Sequence, residues 1–186
     1  MKKIFLLPLI LFCLFFTQVI SFAKDGQNTY TNPILFNNEN YYLKFARTYP
    51  LETINEYVRK NETVQKWDKL LAVRYYNHSV KLKKYIKDTY VIEKDDYVLI
   101  SIENDDNIAY VSFLMIASDY IEYNYWKYIV TDENVIAIQY AKKFNFSKKT
   151  TIENLMKKIQ LHRSEIEPII QKDLNFDIKF IDLGEE

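Results

Sequence analysis

The chain has 186 residues with 25 basic and 25 acidic side chains, two glycines and a single cysteine, Cys13. With neither a basic excess nor a clustered basic stripe, nucleic acid is not an expected partner. Glycine at Gly26 and Gly184 alone excludes a phosphate-cradling loop, a dinucleotide fingerprint and a Gly-x-Ser-x-Gly nucleophile elbow from the folded part.

The chain opens with basic Lys2 and Lys3, an apolar run from Ile4 to about Phe16, and small residues at Ser21 and Ala23. These are the three parts of a signal peptide, so residues 1–23 are expected to be removed after Ala23. The run is short for a membrane-spanning helix, which needs roughly 20 apolar residues. Bulky Phe12 precedes Cys13 where a lipoprotein signal needs a small residue, so no stable membrane anchor is expected after cleavage. The expected location is exported, periplasmic or secreted. Cleavage leaves 163 residues with formal charge −2 and no cysteine. A chain of that size suits one domain, held by packing with no disulfide, thiol nucleophile or thiolate metal site.

Residues 24–39 lack periodicity and read as a flexible lead-in, with a single α+β domain from 40 to 186. Tyr41, Leu43 and Phe45 alternate with Tyr42, Lys44 and Ala46 as in a strand ending at Pro50, and Thr53–Val58 is a second extended piece. Asn61 is placed as the cap of a short helical turn carrying Val64 and Trp67, with Trp67 a core anchor; Leu70–Tyr76 follows as a β-run. Asn77 or Ser79 caps a helix with Leu82, Tyr85, Ile86 and Tyr90 on one face and Lys81, Lys83, Lys84 and Lys87 in solvent.

Residues 97–144 read as a four-strand antiparallel meander, with turns at Ser118-Asp119 and Asp132-Glu133. A last helix begins at a Thr150/Glu153 capping box and carries Ile152, Leu155, Met156, Ile159, Ile166 and Ile170. Pro168 either kinks it or restarts it, with Ser164 and Glu167 as a second cap. Residues 177–183 are expected to add a terminal strand. The fold class is therefore α+β: an antiparallel β-sheet meander with helices packed on it, preceded by a signal peptide.

The meander contains YIEYNYWKYIV at 120–130, dense in aromatics. The composition favours Lys, Ile, Asn, Tyr and Phe, as A+T-rich coding does, so tyrosine content alone is weak evidence for aromatic recognition. The turns fix a register in which Ile116 faces Ile121, Ser112 faces Tyr125, Tyr125 faces Tyr140 and Ile121 faces Phe144. That face is assigned to the main core, with the Tyr123 and Tyr125 hydroxyls reaching the sheet margin. The opposite face collects Val111, Phe113, Trp126, Tyr128, Ala137, Gln139 and Ala141, with Asn124 nearby and Glu122 opposite Lys143 as an ion pair. Trp126, Tyr128, Phe113, Val111 and Gln139 are the candidate binding residues, as an aromatic shelf. The competing expectation is that the second helix or the lead-in peptide covers them.

No catalytic or metal-ligating residue is assigned, and no cofactor is expected. His78 and His162, the only histidines, are too few for a histidine-rich zinc site; His162 reads as a hydrogen-bonded boundary residue. His78 beside Ser79 lacks an orienting third group. The acidic turns at Asp95-Asp96, Asp105-Asp106 and Asp132-Glu133 lack calcium-loop spacing. Asn61, Asn77 and Asn145 fit the glycosylation acceptor pattern.

Residues 55–76, NEYVRKNETVQKWDKLLAVRYY, resemble a Glu-Tyr-Val, spacer, Trp, β-run segment of small uncharacterised exported bacterial proteins. Arg59 stands where that pattern has proline and Asn61 where it has glycine. The order of elements resembles a PsbP-like α/β/α sandwich, a fold analogy that implies no activity. Two functions stand. The first is an exported non-enzymatic module that binds an unknown protein, peptide or hydrophobic ligand at the Trp126 shelf or a sheet edge. The second is an enzyme of unrecognised type using carboxylates or tyrosines.

Overall fold

The computed structural model describes residues 33–90, 97–146 and 151–173. They form one eight-stranded antiparallel sheet with a helix against each face. The strands are β1 (Ile34–Phe36), β2 (Glu39–Thr48), β3 (Glu52–Arg59), β4 (Lys69–Tyr76), β5 (Tyr97–Asn104), β6 (Ile108–Ile116), β7 (Tyr120–Val130) and β8 (Val135–Asn145). The helices are α1 (Leu82–Tyr90) and α2 (Ile152–Asp173). The spatial order is β1-β2-β3-β4-β8-β7-β6-β5. The chain thus runs out along four strands, crosses one face as α1, and returns from the far edge until β8 lies beside β4. This is an α+β fold.

The meander register follows from the two polar turns. Ile116 opposes Ile121, Ser112 opposes Tyr125 and Ile129 opposes Ile136, as the alternation predicts. One face carries Tyr57, Leu71, Val73, Leu114, Ile121, Tyr123, Ile138 and Tyr140, all buried against Leu155, Ile159, Ile166 and Ile170 of α2. Side chains alternate across a strand, so this face takes every second residue and leaves the next for α1.

Several local expectations are corrected. The sheet begins at Ile34, inside the stretch assigned to the lead-in. Asn37 and Asn38 adopt φ of 45° and 61°, the left-handed pair that a two-residue hairpin needs and that asparagine tolerates. Phe36 then pins β1 by packing its ring 5.7 Å from that of Tyr140. Asn61 caps no helix. Instead Thr63 and Lys66 exchange backbone hydrogen bonds of 3.1 and 3.0 Å, and Glu62 accepts from the backbone N–H of Arg59 and of Asp68. One carboxylate satisfying both ends of the loop favours a closed turn over a helical one. Trp67 is only partly buried, against Val58, Leu70, Ala72 and Ala141.

Neither Asn77 nor Ser79 caps α1. Asn77 Nδ2 donates to the Pro50 carbonyl at 2.8 Å and Ser79 Oγ to the Thr131 carbonyl at 2.7 Å, which ties the approach to α1 to two loops. The α2 cap is Thr151, whose Oγ1 accepts from Asn154 N at 3.2 Å; Thr150 lies outside the described residues. α2 runs continuously through Pro168, and Ser164 turns its hydroxyl to the Leu161 carbonyl rather than starting a new helix. Ile166 and Ile170, buried on either side of the proline, hold the two halves in line. Ile152 and Met156 fall outside the packed stripe and are 73% and 41% exposed. Residues 1–23, Asp95-Asp96 and the expected strand at 177–183 also lie outside the described residues.

Candidate functional site

The α1 face is where the sequence places its candidate binding residues. α1 turns Leu82, Ile86 and Tyr90 inward onto Ala109, Val111, Phe113, Tyr128, Val135 and Ala137. Val111, Phe113 and Tyr128 are therefore covered, at 0, 6 and 1% exposure, and Tyr90 and Tyr128 share a hydrogen bond. Trp126 is partly buried against the same cluster, and Gln139 is 8% exposed. The Trp126 ring stacks on Tyr128 with centroids 5.7 Å apart, and the Arg74 guanidinium lies 5.4 Å from its centroid. The N–H on the edge of the Trp126 ring is itself buried.

Four strands bring polar groups to that edge. Glu56 on β3 opposes Ala72 on β4, which opposes Gln139 on β8, which opposes Trp126 on β7. At a strand spacing of about 4.8 Å this row is about 14 Å long. Arg74, two residues along β4 from Ala72, donates through Nη1 to Glu52 at 3.1 Å, and its Nη2 lies 3.8 Å from Glu56. On the other side, Glu122 accepts from Asn124 Nδ2 at 2.9 Å and Asn124 Oδ1 accepts from Gln139 Nε2 at 2.8 Å. The Glu122 carboxylate orients both amides, because it can only accept. Gln139 Oε1 is consequently left over. It is buried without a hydrogen-bond partner, as are Trp126 Nε1 and Arg74 Nε. A buried polar atom without a partner costs about 1–3 kcal/mol, so three at one place call for a compensating role.

Burial pushes the Glu56 carboxyl above the usual carboxylate range, with Arg74 opposing the shift. Burial does the same for Glu122 against the pull of Asn124 and Lys143. The expected Glu122–Lys143 ion pair gives way to a different arrangement. The Lys143 ammonium sits 4.0 Å from the Trp67 ring centroid and 4.7 Å from that of Tyr120, a cation–π contact with each.

On the α2 face the tyrosine hydroxyls meet the helix rather than the sheet margin. Tyr123 donates to Glu167 at 2.7 Å and Tyr125 accepts from Gln171 at 2.9 Å. The Tyr140 hydroxyl is 3.0 Å from His162 Nε2, the boundary hydrogen bond expected of that histidine. Burial lowers His162 to about 4, with Lys142 and Lys69 adding to the shift, so it is neutral at pH 7. Burial likewise raises Tyr123, Tyr125 and Tyr140 well above the ordinary phenol. They stay protonated and supply no base. His78 stacks edge-on against Tyr76 while Ser79 bonds to Thr131, so these neighbours make no nucleophile–base pair. An open concavity of about 510 Å³ lies between Glu39, Tyr42, Arg59 and Glu62. Its carboxylates are already paired, Glu39 with Lys69 and Glu62 with Arg59.

Glu52, Glu56 and Arg74 are absent from the sequence-derived set. Alternation puts Glu52, Ile54 and Glu56 on one face of β3, but only the β4–β8 pairing carries that face to Trp126.

The model of an uncharacterised bacterial family matches residues 29–173. The chain belongs to that family. The matched span runs from before β1 to the end of α2 and includes every residue of the polar row. No curated protein matches the chain.

Proposed function

We propose that this family member is an exported, non-enzymatic binding module whose ligand is held where Trp126, Gln139, Arg74 and Glu56 meet at the margin of α1. The observation that carries this is the clustering of three buried, unpartnered polar atoms, Trp126 Nε1, Arg74 Nε and Gln139 Oε1. Export rests on the signal-peptide pattern of residues 1–23. The layered order of helix, sheet and helix supports a PsbP-like sandwich as the architecture, without activity attached.

The sheet edges are poorer docking sites than this face. Lys44 in β2 and Ile100 in β5 are extra residues at register shifts, and bulges of this kind twist an edge away from a further strand. The enzymatic alternative keeps Glu56 and Glu122 as carboxyls with raised pKa, while burial holds Tyr123, Tyr125 and Tyr140 protonated.

A thermal-stability screen of the mature chain against saccharides, short peptides and fatty acids tests the proposal, with Trp126→Phe as the comparison. A ligand at a hundred times its Kd stabilises by about 2.7 kcal/mol. The expected result is a raised midpoint that the variant loses. A midpoint raised equally in the variant moves the site elsewhere, and consumption of the compound makes the protein an enzyme.

A further inference from the structure

We propose that residues 174–186 dock on the α2 face of the sheet, across the strand rows that α2 itself stops short of. Along β7, Tyr123 meets Glu167 and Tyr125 meets Gln171. Two residues of strand and four of helix each span about 6 Å, so α2 keeps step with β7. The next side chain on that face, Lys127, is level with position 175, whereas α2 ends at Asp173. Lys127 closes a row in which Asn55 opposes Val73, Val73 opposes Ile138 and Ile138 opposes Lys127. Val73 and Ile138 join the core that α2 covers. Asn55 and Lys127, at the two ends of the row, are just as inaccessible at 0 and 4% exposure. The row is about 14 Å wide at a strand spacing of about 4.8 Å, and a helix is about 10 Å across. The end of α2 is too narrow to shield both ends, so a further piece of chain lies on the row.

Continuity, composition and charge assign that piece to the segment after α2. The 13 residues that follow Asp173 start at the row itself and reach about 40 Å when extended, enough to cross it. The chain before β1 enters at the far edge, five strands from β7. Leu174, Phe176, Ile178, Phe180, Ile181 and Leu183 supply apolar surface for the next row, where Tyr75, Ile136 and Ile129 oppose one another and are half-buried. Asp177, Asp182, Glu185 and Glu186 stand against Lys179 alone, an acidic balance that suits the buried Lys127 ammonium. Burial lowers Lys127 from the ordinary lysine value, and a nearby carboxylate offsets that desolvation. This docking surface lies on the opposite face from the ligand position and is independent of it.

The mature chain, residues 24–186, has no cysteine, so Glu185→Cys carries a single nitroxide label. That label is expected to broaden the methyl signals of Ile129 and Ile136 and to spare Ile121, which lies about 26 Å away along β7. Ile129 and Ile136 signals left sharp by it overturn the proposal; if a label at Asp25→Cys broadens them instead, the occupant is the chain before β1. A second measurement reads Lys127 directly. Its acetylation by an N-hydroxysuccinimide ester, followed by mass spectrometry, should rise about tenfold or more in a chain ended at Asp173, as expected when a protecting segment is removed. Lys157, whose side chain is 69% exposed, serves as the unchanged reference, and the thermal midpoint shows that the shortened chain folds. Unchanged Lys127 reactivity in the folded, shortened chain overturns the docking. The labelled full-length chain decides the matter even where the shortened one does not fold.

Discussion

Tyr125 and Trp126 are neighbours in the chain and opposites in the fold. Tyr125 is 2% exposed beneath α2, with its hydroxyl bonded to Gln171. Trp126 is partly buried at the edge of α1. Tyr125→Ala is expected to cost about 3–5 kcal/mol, as buried aromatic deletions do, and Trp126→Ala less. Chemical denaturation of both variants decides the order, and a larger loss at Trp126 would mean that its ring is the deeper core element. His162 sets a pH dependence. Its folded pKa of about 4 lies below the unfolded value of 6.5, so the unfolded chain binds more protons between the two. Its contribution is therefore complete above about pH 6.5 and is lost as pH falls toward 4. Replacing His162 with Phe should flatten the acid limb of stability in that window, measured by denaturant midpoints across pH. An unchanged limb would assign it to other groups.

α1 and α2 are both amphipathic, but tertiary contacts decide their ends and continuity. Pro168 lacks the N–H that would bond the Ser164 carbonyl, and proline inside a helix costs about 3 kcal/mol relative to alanine. The helix survives because Ile166 and Ile170 are fixed in the core, while Arg163 and Tyr123 both hold Glu167 at 2.7 Å. Pro168→Ala is expected to stabilise the protein by about 1 kcal/mol or more, read from the thermal midpoint. A destabilisation would mean that the helix needs the proline's geometry to follow the sheet. The two edge bulges act at the same scale. The extra residues Lys44 and Ile100 interrupt the regular edge on which another strand would pair, which directs binding to a face.

For the whole molecule, packing is the expected source of stability in the mature chain. Cys13 lies within residues 1–23, and no other cysteine exists. Material recovered from outside the cytoplasm should have the mass of a chain beginning at Lys24, and reductant should leave its thermal midpoint unchanged. A retained mass of residues 1–23 would remove the signal-peptide reading.

The sequence by itself determined the α+β class, the four-strand meander and its register. Period-two alternation and short polar turns are local signals, and once a turn is placed every cross-strand pair follows. It also separated Tyr125 from Trp126 by face. It failed at Asn61 and at the α1 caps, where the competing side-chain bonds come from Asp68, Pro50 and Thr131, distant in sequence or across a turn. The polar row was beyond it for a topological reason. Glu56 and Trp126 are brought onto one surface only when the chain, having crossed as α1, returns from the far edge and pairs β8 with β4. No local pattern encodes that closure; it is decided by burying both faces of one sheet, which brings Arg74, Gln139 and Trp126 together and leaves Arg74 Nε, Gln139 Oε1 and Trp126 Nε1 without partners.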